Sequence, residues 1–109
     1  MEIRNEENLK RMYVDYLCNL INQSKYHKIR VFTSLNRVEI IYYGKKWYQR
    51  NETQEFKCSD LDKMMLFIYK VSIFIWEYSM LFPTSWVENH ILSYDKWIEE
   101  NFTKEIRLY

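Results

Sequence analysis

The side chains best suited to soft-metal or nucleophilic chemistry in this sequence are Cys18, Cys58, His27 and His90. Structural zinc sites draw their ligands in close pairs such as C-x-x-C or H-x3-H. No two of these four stand that close, so no metal is expected. A cysteine nucleophile needs a histidine folded within reach, and spacing along the chain does not supply one. His90 shares an apolar stretch with Trp86, Tyr94 and Trp97 and is read as a hydrogen-bonded core histidine. Asp60 and Asp62 are of the type that binds magnesium, but at the start of a helical stretch they serve as capping carboxylates. Phosphate-cradling loops are ruled out by composition. The chain has a single glycine, whereas such loops need several positions where backbone can turn sharply or approach a ligand. The patterns G-x-x-x-x-G-K-[ST], G-x-G-x-x-G and G-x-S-x-G are missing. The sequence is therefore expected to carry no catalytic residue, cofactor or metal.

Charge is the more informative feature. The chain has 109 residues and a formal charge of only +1. Residues 25–50, however, hold Lys25, Lys28, Arg30, Arg37, Lys45, Lys46 and Arg50 against Glu39 alone, a local charge of +6, while 1–24 carry −1 and 51–109 carry −4. This basic stretch is also rich in β-branched and aromatic residues, which favour strands. Alternate strand side chains point to opposite faces. With Ile29, Val31, Val38, Ile40, Tyr42 and Trp47 turned to a core, the other face carries Arg30, Phe32, Arg37, Ile41, Tyr43, Lys46, Tyr48 and Arg50. Arginine and tyrosine are typical anchors of protein interfaces. A protein partner with an acidic surface is expected, bound through Arg30, Phe32, Arg37, Tyr43, Lys46, Tyr48 and Arg50. The alternative is nucleic acid, whose phosphates and bases suit cations interleaved with aromatic rings. The plain structural alternative is that long cationic stems cover exposed strand aromatics.

The elements that must hold these residues follow from hydrophobic period. Leu9, Met12, Tyr13, Tyr16, Leu17 and Leu20 repeat at helical spacing and predict a helix over 5–24, with Asn5 as N-cap. Val14, Cys18 and Ile21 widen its apolar arc to roughly 200°, beyond the ~100° that one-sided packing needs. Either this helix is sandwiched or Val14, Cys18 and Ile21 form an oligomer face, making a homodimer a further candidate. Strands are predicted at 28–33, 37–43 and 46–50, with a weaker one at 54–58. Gly44 is expected at positive φ in a tight hairpin. Connections this short require an antiparallel meander. A second helix is predicted over 59–82, capped by Ser59 and wet only along Lys63, Lys70 and Glu77. Ser72 and Ser79 lie opposite, small enough for a neighbour to approach. Pro83 ends it, and Ser85-Trp86-Val87-Glu88 reads as a capping box that opens a third helix. The tail 104–109 alternates and suits a fraying helix end or a short strand. The expected fold is one α+β domain, α-β-β-β-(β)-α-α, with helices on one face of the sheet.

That element order is also the order of the double-stranded RNA-binding domain. The basic, alanine-rich start of that family's last helix has no counterpart in the acidic Ser59-Asp60-Leu61-Asp62-Lys63. The stretch 64–82 contains Lys70 and Glu77 and fails the near charge-free run a membrane span requires. The N-terminus lacks the basic and apolar regions of a secretory signal, so two free thiols in a reducing cytoplasm are expected. Alanine is absent and glycine and proline occur once each. Their codons all begin with two G or C bases, which points to an AT-rich gene of the kind common in viruses, phages and mobile elements. The expected role is a small binding protein that inhibits or modulates a macromolecular partner, for instance in host defence or transcription.

Overall fold

The computed structural model describes residues 6–44 and 48–103. Helix α1 (Glu6–Ile21) leads into strands β1 (His27–Phe32), β2 (Arg37–Tyr42) and β3 (Glu52–Lys57). Helices α2 (Leu61–Phe74), α3 (Thr84–His90) and α4 (Tyr94–Ile98) follow, and α2 and α4 run on into wider π turns at Ile75–Ser79 and Glu99–Thr103. The sheet is an antiparallel meander in the order β1-β2-β3, with Ile29 opposite Ile40 and Val38 opposite Phe56. The α+β architecture is the one the hydrophobic pattern predicts.

Strand alternation sorts the sheet cleanly. Ile29, Val38 and Ile40 are buried in one core with Tyr13, Leu17, Met64 and Ile68 from α1 and α2. Phe56 extends that inner layer by packing on Phe67, ring centroids 4.8 Å apart. Helix α1 touches β1, α2 and α4, and these three neighbours account for its wide apolar arc. Val14 (1% exposed) and Ile21 (0%) lie inside the core, and Cys18 packs against it. The candidate oligomer face of Val14, Cys18 and Ile21 is therefore corrected: these side chains are used within the fold. Cys18 and Cys58 are free thiols.

Several boundaries differ from the sequence expectation, each for a local reason. Of the segment expected as a third strand, Lys46 and Trp47 lie outside the described residues, and 48–50 form no strand. The third strand is instead Glu52–Lys57, the segment expected only weakly. Gly44 does not take a positive φ. It is needed for space, since a Cβ there would stand 2.6 Å from both the Cβ and the carbonyl oxygen of Gln49. The positive φ falls on Asn36 (50°), in the β1–β2 turn, a residue that tolerates the left-handed region, and on Leu81 (60°). Asp60 rather than Ser59 caps α2, accepting the Lys63 N–H at 2.8 Å. Helix α3 starts directly after Pro83 with no side-chain cap, so the expected capping box is not formed. Asn5 and the tail 104–109 lie outside the described residues.

The largest difference is a break in the expected third helix. α3 stops at His90 and α4 starts at Tyr94. Such a break exposes backbone groups that must find partners, and tyrosines of α1 supply them. The Tyr16 hydroxyl donates to the His90 carbonyl at 2.8 Å and accepts from the Leu92 N–H at 3.0 Å. The Tyr13 hydroxyl donates to the Leu92 carbonyl at 2.7 Å. In the same way the Trp76 indole N–H donates to Leu20 O at 3.0 Å, near the end of α1. No helix among the described residues is long and apolar enough to cross a membrane.

Candidate binding face of the sheet

Among the described residues, the helices occupy one side of the sheet and leave the other side open. Along it β1 presents Lys28, Arg30 and Phe32, β2 presents Arg37, Glu39 and Ile41, and β3 presents Thr53, Glu55 and Lys57. None of these nine is buried. Arg30 and Arg37, expected on this face, are brought together through an acid between them. Glu39 meets the Arg30 guanidinium at 3.3 Å and that of Arg37 at 3.7 Å, and Glu55 meets Arg37 at 3.6 Å from the next strand. The Arg37 guanidinium also lies over the Phe32 ring, 4.5 Å from its centroid. These contacts leave Arg37 only 29% exposed, and its Nε is buried without a hydrogen-bond partner. A guanidinium held on three sides is pre-oriented, which lowers the entropy lost when a partner binds it.

The acids are what sequence reading missed. Among the described strand residues, four cations (Lys28, Arg30, Arg37, Lys57) face two carboxylates, a sum of about +2 against the +6 of the sequence stretch. Glu39 was visible as the lone acid of the basic segment. Glu55 reaches the face only through the β2–β3 register, which places it opposite Glu39 and diagonal to Arg37.

The remaining expected residues do not join this cluster. Tyr43 follows β2, its N–H donating to the Tyr26 carbonyl at 2.9 Å, at the far end of the strand from Arg37. Six residues of strand separate them by about 20 Å. Tyr43 and Arg50 line a shallow recess of about 320 Å³ with Tyr42, Gly44, Gln49 and Glu52. Tyr48 stands 60% exposed in the same connection. Lys46 lies outside the described residues. The expected face thus divides into a compact group, Arg30, Phe32 and Arg37, and a looser group, Tyr43, Tyr48 and Arg50.

Other chemistry-bearing side chains are tied into structure. His27 is buried, its Nδ1 2.8 Å from the Ser24 hydroxyl, which also accepts the Tyr26 N–H at 3.2 Å. His90 is exposed rather than in the core. Its ring stacks on Trp86 at 4.2 Å, and Nδ1 donates to the Trp86 carbonyl at 2.8 Å. Burial, with Asp15 adding to it, pushes the Cys18 thiol up to about 12, opposite to what activates a nucleophile. No group of three or more His, Cys, Asp or Glu able to hold a metal ion occurs among the described residues. No protein-family model, curated protein or solved structure matches this chain.

Proposed function

We propose that the chain is a small non-enzymatic binding protein that inhibits or modulates a macromolecular partner through the open face of its sheet. The observation that carries this reading is the held arrangement of Arg30, Phe32, Arg37, Glu39 and Glu55 on a side that none of the described helices covers. A mixed network of two arginines and two carboxylates suits a protein surface with acidic groups. A phosphate backbone would meet Glu39 and Glu55 in the middle of its path, and like-charge contact is unfavourable. A protein partner is therefore favoured over nucleic acid. The proposal extends to a cytoplasmic setting and to a viral, phage or mobile-element gene acting on host defence or transcription, for which the codon-linked composition is the support.

The test is a double charge reversal, Arg30→Glu with Arg37→Glu. Used as bait in host lysate, the wild type is expected to retain a partner at low-salt and moderate-salt washes, and the variant to lose it. A partner retained equally by both would remove the sheet face from the interface. A mobility-shift assay with single- and double-stranded probes separates the nucleic-acid alternative. Binding that falls steeply with salt would favour that alternative, because neutralised phosphates release counterions.

A further inference from the structure

On the helical side of the molecule, α2 turns Asp62, Met65, Leu66 and Tyr69 along one stripe, at the i, i+3, i+4, i+7 spacing of a single helix face. Across from them stand Tyr13 of α1 and Tyr94 of α4, enclosing a cleft of about 220 Å³. Its walls are tyrosine rings, aliphatic or thioether carbon and Ser93, and among the described residues Asp62 is its single charged wall residue. We propose that this cleft receives an arginine side chain of a protein partner. The stem of an arginine would lie against Met65 and Leu66, as long cationic side chains cover apolar surface. Its planar guanidinium would stack on tyrosine and reach the Asp62 carboxylate, an arrangement that the more strongly hydrated lysine ammonium matches less well.

The surroundings favour a cation over a neutral apolar group. Lys10 already sits here, its ammonium 2.7 Å from Asp62 Oδ1, and Asp62 remains 66% exposed. The molecule thus places a cation of its own at the carboxylate that a guanidinium would use. Two neighbours register the same negative field. The Lys10 ammonium is held above its usual range, chiefly by Asp62. The Tyr94 phenol is pushed up to about 12, by burial first and then by its hydrogen bond to Glu6 and the charges of Glu6, Asp62 and Asp95. The cleft lies on the side of the molecule away from Arg30 and Arg37, so this inference stands or falls separately from the sheet-face reading.

The experiment is an NMR titration with acetyl-Gly-Arg-Gly-amide and with its neutral isostere, acetyl-Gly-citrulline-Gly-amide, read on the Met65 methyl, the Leu66 methyls and the Tyr69 ring. The arginine peptide is expected to shift these signals saturably and to bind about tenfold tighter than the citrulline peptide. Asp62→Asn should close that gap, whereas Lys10→Met, which removes the resident cation, should widen it. The unshifted signals of the core report that each variant is folded. Equal affinity for the two peptides, a Lys10→Met variant no better than wild type, or no saturable shift at the cleft would overturn the proposal.

Discussion

On the open face of the sheet the polar groups are charged side chains that pair with one another in water. In the helical layer two tyrosine hydroxyls of α1 and an indole N–H pair instead with backbone groups near helix ends. Arg30, Arg37, Glu39 and Glu55 make the first set. Tyr13, Tyr16 and Trp76 make the second. Exposed ion pairs contribute about 0–1 kcal/mol each, whereas a buried polar group left unsatisfied costs about 1–3 kcal/mol. The difference separates what the fold requires from what it leaves available for a partner.

Removing the centre of the helical layer should have the largest effect. Trp97 is buried and packs on Tyr13, Tyr16, Tyr94 and Phe102. Trp97→Ala is expected to destabilise by about 3–5 kcal/mol in denaturant unfolding. Tyr16→Phe should cost about 0.5–1.5 kcal/mol, because it removes the hydroxyl shared by the His90 carbonyl and the Leu92 N–H. Tyr78→Phe, on a ring 66% exposed, should leave stability unchanged. If the two tyrosine variants behave alike, the clamp at the helix break is not what holds α3 and α4 in place.

Alkaline titration sharpens the same contrast. Burial raises Tyr13, Tyr16 and Cys18, the last to about 12 from 9.0. The fold therefore favours their neutral forms, a contribution fully present below about pH 9 and lost as pH rises towards 12. Stability, read by denaturant unfolding followed by circular dichroism, should hold flat from neutral pH to about 9 and then fall. Stability that stays flat through pH 12 would mean that burial in the helical layer does not hold these groups neutral.

The parts legible in the sequence were those encoded within a single element. Ile29, Val38 and Ile40 against Arg30 and Arg37 follow from period two alone, so the inward and outward faces could be assigned. What required tertiary register was hidden. Glu52 and Glu55 are weak strand formers, and β3 exists because β2 offers them a ladder. Glu55, expected in a weak strand at 54–58, therefore could not be placed as the neighbour of Arg37. The break after His90 was masked because Ile91 and Leu92 continue the apolar pattern without proline or glycine. Ser93 at the N-cap and Asp95 in the first turn of α4 were the signal that could have marked it. Tyr13 and Tyr16 read as plain apolar positions because their hydroxyl partners lie far along the chain.

The smallest stability effect belongs to the sheet face. Arg30→Gln with Arg37→Gln, which removes the charges without setting new carboxylates beside Glu39 and Glu55, should change stability by about 1 kcal/mol or less, and that variant provides the most direct test of the account. Wild type and double variant, matched for thermal midpoint, are compared as baits for quantitative partner capture from host lysate. The account predicts a partner on the wild type that is lost from the variant while both remain equally folded. An equally loaded variant, or a variant whose thermal midpoint collapses, would show that the open face serves the fold and is not the binding surface.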